Sequence, residues 1–195
     1  VPPASPVLVW GDNTFGQSAA PELATNAIAV AAGAWHTLAL RADGRVVAWG
    51  DNSSGQCGDG EPMTNALAIA AGGYHNLAIR RDGAVVAWGA NDYGQASVPP
   101  GLSDVIAVAA GTWHSVALRA NGTVVVWGDD SFGQKSRQPA GLTQVVAVAA
   151  GGNHTLALKA DGRVVAWGEN TDAEGNVVGQ SEVPWDLADV VAIGA

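Results

Sequence analysis

Cysteine, cations and long hydrophobic runs are all scarce in this sequence of 195 residues. Because Cys57 is the single cysteine, an intrachain disulfide and a C-x-x-C metal or redox motif are both excluded. Nine Lys and Arg residues against 18 Asp and Glu residues give a formal net charge of -9, which disfavours binding to nucleic-acid phosphates. A membrane-spanning helix requires about 18 uninterrupted apolar residues, and no apolar run in the sequence approaches this length, so membrane insertion is not expected.

Signatures of catalysis are also missing. The sequence has no Gly-x-Ser-x-Gly elbow, no Walker loop and no His-Glu-x-x-His zinc motif. Cys57 lies in a polar, glycine-rich stretch with no base nearby in the sequence, which indicates a bystander thiol. The sequence therefore predicts a protein that is not an enzyme and that needs no cofactor.

An internal repeat is the main positive signal. Trp-Gly pairs recur at steps of 39, 39, 39 and 40 residues, and single histidines and Gly-Gln pairs keep nearly the same step. The Trp and His residues at these positions are Trp10, Trp49, Trp88, Trp127 and Trp167, with His36, His75, His114 and His154. A residue type needed in every unit indicates a role in the architecture, so we interpret these tryptophans as blade packing and these histidines as hydrogen-bonded structure.

Each unit contains three short apolar runs, as at 28–32, 36–40 and 46–50. The runs have the length of strands and are too short for helices. Asp43-Gly44 separates the second run from the third, and this dipeptide is typical of a two-residue hairpin because Gly accepts a positive φ. Each unit is therefore expected to form a three-stranded antiparallel meander.

A single three-stranded unit cannot bury both of its faces, whereas radial repetition stacks such sheets face to face. The sequence therefore predicts an all-β fold, a complete or partial β-propeller of three-stranded antiparallel blades with about 39 residues per repeat. A β-solenoid is the alternative, but its coils usually lack a hairpin in every repeat. We expect one domain over residues 1–195, with repeats near 7–46, 47–85, 86–124, 125–164 and a partial repeat over 165–195.

The pattern Gly-x-x-His-x-Leu-Ala-Leu-x-x-Asp-Gly-x-Val-x-x-Trp-Gly resembles the repeat of the regulator of chromosome condensation family. It covers 33–50, 72–89, 111–128 and 151–168, with small departures. The short unit is most similar to that of the propeller-type β-lactamase inhibitory branch. The resemblance implies a binding protein and a ring of seven blades. The chain begins on a third-strand run at 7–10 and ends on a first-strand run at 190–195, without the middle run. We therefore expect a fragment, an open arc, or a unit that completes itself with another chain.

Function is sought where the repeats differ, which is in two sets of loops. Residues before the repeated histidines are Trp35, Tyr74, Trp113 and Asn153, and those after the Trp-Gly pairs include Phe15, Tyr93 and Phe132. Aromatic residues at loop tips are enriched in binding hot spots, and the resemblance implies that the first set contributes to a partner-binding face. Local packing remains the alternative for both sets. Four histidines could suggest a metal site, but each belongs to a different blade, so no metal site is expected.

These features predict a non-catalytic protein–protein interaction scaffold with an acidic, aromatic loop face suited to a partner with a basic rim. Two alternatives are a self-assembling module that completes a ring with further copies and an enzyme inhibitor of the β-lactamase inhibitory type. Nucleotide exchange with chromatin binding is disfavoured by the acidic charge and the lack of a basic tail. An extracellular or periplasmic setting is favoured, although the sequence does not fix the compartment.

Overall fold

In a computed structural model, residues 7–58, 63–171 and 176–195 are described. These ranges form twelve strands and contain no helix, hence none long and apolar enough to cross a membrane. The strands are β1 Ala27–Ala32, β2 His36–Arg41, β3 Val46–Gly50, β4 Ala66–Ala71, β5 His75–Arg80, β6 Val85–Gly89, β7 Val105–Ala110, β8 His114–Arg119, β9 Val124–Gly128, β10 Val145–Ala150, β11 His154–Lys159 and β12 Val164–Gly168.

Every three consecutive strands form one antiparallel sheet in chain order, and we call each sheet a blade. In blade 2 the central strand β5 pairs with both neighbours, with Ala78 opposite Ile69 on one side and Val86 on the other. The hairpin between β5 and β6 turns at Gly83, whose φ of 79° suits glycine. Its Asp82 Oδ1 accepts a hydrogen bond from the Ala84 amide at 3.0 Å. The predicted meander is confirmed in all four blades.

Consecutive blades pack face to face and share their hydrophobic cores. Between blades 1 and 2, the buried Leu38 and Leu40 lie against Ile69 and Ala71 of the next sheet. The same arrangement joins blade 2 to blade 3 and blade 3 to blade 4. Small residues in the first strand allow this close approach, and Trp88 fills the wider outer space. The all-β propeller fold of three-stranded blades is confirmed.

The apolar runs at 7–10 and 190–195 are not strands, so the expectation of strands there is wrong. Among the described residues, neither run forms a ladder with a neighbouring strand. The ends nevertheless keep some contacts of the repeat, because Val7 and Val9 pack beside Trp49. Trp10, which follows them, is 87% exposed and does not share the packing of the other repeated tryptophans.

The outward faces of blades 1 and 4 are incompletely covered by the described residues. Val30 of β1 is 60% exposed, whereas Ile69 of β4 is packed against the preceding blade. At the other end Leu156 is only partly buried, although its counterparts Leu38 and Leu77 are fully buried. Apolar side chains that are buried between inner blades are therefore partly open to solvent at both ends of the array.

Candidate protein-binding face

Both variable sets of loops lie at the same end of the blades. The ab loop joins the first and second strands of a blade, and the Trp-Gly loop follows its third strand. In blade 1, the Asp51 amide at the start of the Trp-Gly loop donates to the Trp35 carbonyl in the ab loop at 2.8 Å. In blade 2, the Ala90 amide donates the equivalent hydrogen bond to the Tyr74 carbonyl at 2.9 Å. We call this the loop end, and the opposite end, where the second and third strands turn, the hairpin end.

Five aromatic side chains from these loops form a connected row. We define the aromatic row as Phe15, Trp35, Tyr74, Trp113 and Tyr93. The ring centroids of Phe15 and Trp35 lie 5.3 Å apart, edge to face, and the Trp35 indole N–H donates to the Tyr74 hydroxyl at 3.2 Å. Tyr74 stacks on Trp113 at 5.0 Å, and Trp113 meets Tyr93 at 5.4 Å. The row thus crosses the loop end over blades 1 to 3.

The aromatic row remains accessible despite these mutual contacts. Tyr93 is 53% exposed, Phe15 48% and Trp35 36%, while Tyr74 and Trp113 are partly buried. Exposed aromatic rings that contact one another make a continuous apolar surface that a partner can cover.

Phe132 and Asn153 lie outside the row. Phe132 is 40% exposed, and no ring contact joins it to another aromatic in the described ranges. Asn153 occupies the ab-loop position that an aromatic holds in the other blades, and its side-chain amide donates to Glu169 Oε2 at 2.9 Å. Of the seven residues predicted for partner binding, the structure therefore brings five together and leaves these two apart.

Buried glutamines fix the shape of the Trp-Gly loops, a role that the sequence reasoning missed. In the loop of blade 2, Gln95 is fully buried and its Oε1 accepts a hydrogen bond from the Tyr93 amide at 2.9 Å. The Gln95 carbonyl accepts from the Ser115 hydroxyl at 2.8 Å and from the Trp127 indole at 2.9 Å. The recurrence of Gly-Gln at the repeat step was the signal that could have revealed this anchor.

Aspartates at the start of the Trp-Gly loops stay ionised because the loops donate hydrogen bonds to them. Burial raises the pKa of Asp51, but the hydrogen bonds that this carboxylate accepts, chiefly from Ser53 and Gln56, together lower the pKa by more. The net shift is therefore downward. For the exposed Asp12, the hydrogen bond from the Thr14 side chain is the largest cause of a lowered pKa. The loop end therefore keeps its negative charge at neutral pH.

The repeated histidines join neighbouring blades. Nε2 of His36 lies 2.7 Å from Asn76 Oδ1, and Nε2 of His75 lies 2.8 Å from the Ser115 hydroxyl. Since that hydroxyl donates to the Gln95 carbonyl, it accepts from His75, whose proton is therefore assigned to Nε2. Burial lowers the pKa of His75 to about 4, so the ring is neutral at pH 7. Over residues 7–58, 63–171 and 176–195, no three His, Cys, Asp or Glu side chains cluster as metal ligands would.

The repeat pattern also decides the family. The family model for the regulator of chromosome condensation (RCC1) repeat matches at 27–56, 67–95, 105–134 and 145–174, which is more than half of the chain. The chain belongs to the RCC1 repeat family. Each matched range begins in or near the first strand of a blade and continues into its Trp-Gly loop, so each RCC1 repeat here corresponds to one blade.

Solved structures with RCC1-type folds resemble this chain over about half of their own length. Prp20p from Saccharomyces cerevisiae, described with its binding to Gsp1p and histones, is 26% identical with a TM-score of 0.66, over 84% of this chain and 48% of Prp20p. The ectodomain of the Physcomitrella patens receptor kinase CR4 is 25% identical with a TM-score of 0.68, over 84% and 47%. Human WBSCR16, at 23% identity, a TM-score of 0.64 and 77% and 50% coverage, shares the fold. No curated protein matches the sequence significantly.

Proposed function

We propose that this RCC1 repeat chain is a non-catalytic scaffold that binds a partner protein through the aromatic row. The observation that carries the proposal is the continuity of five aromatic rings, contributed by separate loops, across one end of three blades. Tyr and Trp supply large contact areas with few rotatable bonds, which is why such residues dominate binding hot spots.

The loops that carry the row are held in shape by their own hydrogen bonds. The backbone amides of Phe15 and Tyr93 each donate to the side chain of a glutamine two residues later, at 2.9 Å in both loops. A surface that is already ordered loses little conformational entropy when a partner binds. The binding of Prp20p to Gsp1p and histones supports a protein-binding role within the same fold.

The test compares three forms of the chain as bait in an extract of its source. We expect the unaltered chain to retain a specific protein that the double variant Trp35→Ala, Trp113→Ala releases. Trp185→Ala is the matched control, since Trp185 is 96% exposed and lies outside the row. The retained protein is then purified and its Kd is measured by calorimetry. We expect at least about a tenfold weakening in the double variant, equal to about 1.4 kcal/mol. Equal affinity for all three forms would refute the proposal.

Inhibition of a β-lactamase is a specific form of this function that the short repeat favours. Its test is the hydrolysis of a chromogenic cephalosporin by a class A β-lactamase with the chain in excess. Inhibition that disappears in the Trp35→Ala, Trp113→Ala variant would establish this form. Unchanged hydrolysis would remove β-lactamases from the possible partners and leave the scaffold proposal to the capture experiment.

Self-assembly is a second candidate function, and the open faces of blades 1 and 4 favour it. Val30 is exposed on one face, and Leu156 is partly buried on the other. Among the described residues, His154 also lacks the inter-blade hydrogen bond that the other three repeated histidines make. Light scattering over a dilution series tests this candidate. A dimer that Val30→Asp dissociates would support it, whereas a monomer at all concentrations would exclude it.

A further inference from the structure

We infer that the aromatic row receives a cationic segment of the partner, rich in Arg or Lys and extended along the row. This inference rests on the proposed function, because it specifies the chemistry of the partner at the same face. Three independent features support it, namely the excess of carboxylates at the loop end, the exposed aromatic faces, and the length of the row.

The two ends of the blades differ in charge. At the hairpin end the cations are mixed with carboxylates such as Asp43 and Asp161, which pair with them, whereas the loop end is mainly acidic. Seven of the nine cationic side chains lie at or next to the turns of the hairpin end: Arg41, Arg45, Arg80, Arg81, Arg119, Lys159 and Arg163. The Trp-Gly loops at the loop end instead carry the carboxylates Asp12, Asp51, Asp92, Asp129, Asp130 and Glu169. Their only cations within the described residues are Lys135 and Arg137. A positive segment is therefore attracted to the loop end.

The carboxylates are arranged along the row. Asp12 and Asp92 precede Phe15 and Tyr93 by three residues and one residue, and both carboxylates are exposed. Asp51 begins the Trp-Gly loop that adjoins Trp35 through the 2.8 Å backbone hydrogen bond. The two Trp-Gly loops that contribute Phe15 and Tyr93 to the row thus each carry an exposed carboxylate.

Aromatic faces beside carboxylates favour cations in particular. A guanidinium or ammonium group within about 6 Å of an indole or phenol centroid is attracted by the negative face of the ring, and guanidinium also stacks on the ring. Trp35 and Tyr93 offer exposed ring surface for this contact. A neutral apolar segment could pack against the rings, but the neighbouring carboxylates would not attract it.

The length of the row indicates an extended segment rather than a single side chain. The row runs from Phe15 to Tyr93 through rings contributed by three blades. It ends at the fourth blade, where Asn153 replaces the aromatic, and the two loop-end cations lie in the segment between blades 3 and 4. Arg137 is held there by a hydrogen bond from its guanidinium to the Gly168 carbonyl at 3.2 Å. The cationic segment is therefore expected to cover blades 1 to 3 and to avoid blade 4.

The test uses a short peptide of alternating Arg and Gly, with a counterpart in which Gln replaces each Arg. Binding to the intact chain is followed by NMR, through the indole N–H signals of the tryptophans, and Kd is taken from the titration. We expect the Arg peptide to shift the signals of Trp35 and Trp113 and to leave that of Trp185 unchanged. The Gln peptide should bind at least about tenfold more weakly, and high salt should weaken the Arg peptide.

Two matched substitutions separate a specific site from diffuse attraction between charges. Asp92→Asn at the loop end should weaken the Arg peptide severalfold, whereas Asp82→Asn at the hairpin end should leave its Kd unchanged. Trp113→Ala should weaken it by about tenfold, a loss of about 1.4 kcal/mol. If the Arg and Gln peptides bind alike, or if Trp113→Ala and Asp92→Asn have no effect, the inference is wrong. Should that happen while the captured protein still depends on Trp35 and Trp113, the proposed function stands without it.

Discussion

Gln134 is a buried amide whose two ends hold the Trp-Gly loop that follows blade 3. Its Oε1 accepts from the Phe132 amide at 3.0 Å, and its Nε2 donates to Asp129 Oδ2 at 3.1 Å. Gln134→Ala leaves both groups without these partners in a buried setting, so we expect a loss of about 1 to 3 kcal/mol in the free energy of unfolding. Denaturation in urea measures it.

Gln17→Ala is the matched control for that substitution. Gln17 makes the same two hydrogen bonds, to the Phe15 amide at 2.9 Å and to Asp12 Oδ2 at 3.0 Å, but it is only partly buried. Water can replace its amide more readily, so the loss should be smaller than that for Gln134→Ala. Equal losses would mean that burial does not set the strength of the anchor.

Cys57 is a shielded thiol rather than a reactive one. Burial is the main cause that raises its pKa, and the charge of Asp51 adds to the shift. The thiol also donates to the Asp51 carbonyl, with sulfur and oxygen 3.2 Å apart. Because the thiolate is the reactive form, we expect Cys57 to react with a disulfide reagent at pH 7 several times more slowly than a free cysteine. A rate equal to that of the urea-unfolded chain would contradict this.

At the scale of the elements, two of the glycines in blade 2 have different roles. Gly83 lies in the hairpin of blade 2 with a positive φ, and a Cβ there would meet no atom within 4 Å. Gly72 lies in the ab loop, where a Cβ would come within 2.4 Å of the Gly111 carbonyl oxygen of the next blade and 2.5 Å of His75 Cε1. We therefore expect Gly83→Ala to cost about 1 to 2 kcal/mol of stability, from backbone strain alone.

Gly72→Ala should cost more, about 3 kcal/mol or above, because two packed blades must separate to admit the methyl group. Thermal unfolding of the two variants side by side measures the difference. If Gly72→Ala is no more destabilising than Gly83→Ala, then the contact between ab loops is not a rigid joint. The comparison separates what shapes one blade from what holds two blades together.

The blade itself could be predicted from the sequence because its signals are local. The run 46–50, the Asp43-Gly44 turn and the run before it lie within a few residues of one another. The aromatic row could be predicted only as a set of candidates. Trp35 and Tyr74 are 39 residues apart and meet only because blades stack. Phe132 has a sequence context similar to that of Phe15, but the ab loop of the following blade has Asn153 in place of an aromatic. Trp10 has the same sequence context as Trp49 but is 87% exposed, because no described strand packs beside it.

At the scale of the whole molecule, the histidines connect the stability of all the blades to pH. His36, His75 and His114 each bond the second strand of the following blade and together link blades 1 to 4. Burial lowers the pKa of His75 and of His114 to about 4, whereas an exposed imidazole in the unfolded chain titrates near 6.5. The propeller therefore holds both rings neutral under conditions in which the unfolded chain protonates them.

The unfolded chain binds more protons between these two values, so stability must fall as pH decreases. The stability that the neutral His75 and His114 contribute is fully present above pH 6.5 and is lost progressively between pH 6.5 and about 4. At pH 5 we expect a loss on the order of 1 to 2 kcal/mol for each of the two imidazoles, seen as a lower midpoint of urea unfolding than at pH 7.5. Asp51 and Asp129 have pKa values lowered from 3.8, so their contribution to stability is lost only at pH values below this window.

The double variant His75→Gln, His114→Gln provides the control, because it removes two of the four histidines whose pKa burial lowers and keeps His36 and His154. It is expected to be less stable at pH 7.5, since the inter-blade hydrogen bonds are altered, yet its midpoint should fall less between pH 7.5 and 5 than that of the unaltered chain. His36 and His154 account for the fall that remains. The change of midpoint with pH, not its absolute value, is the measurement. A double variant as sensitive to acid as the unaltered chain would show that His75 and His114 do not set this dependence, and that other groups couple the blades to pH.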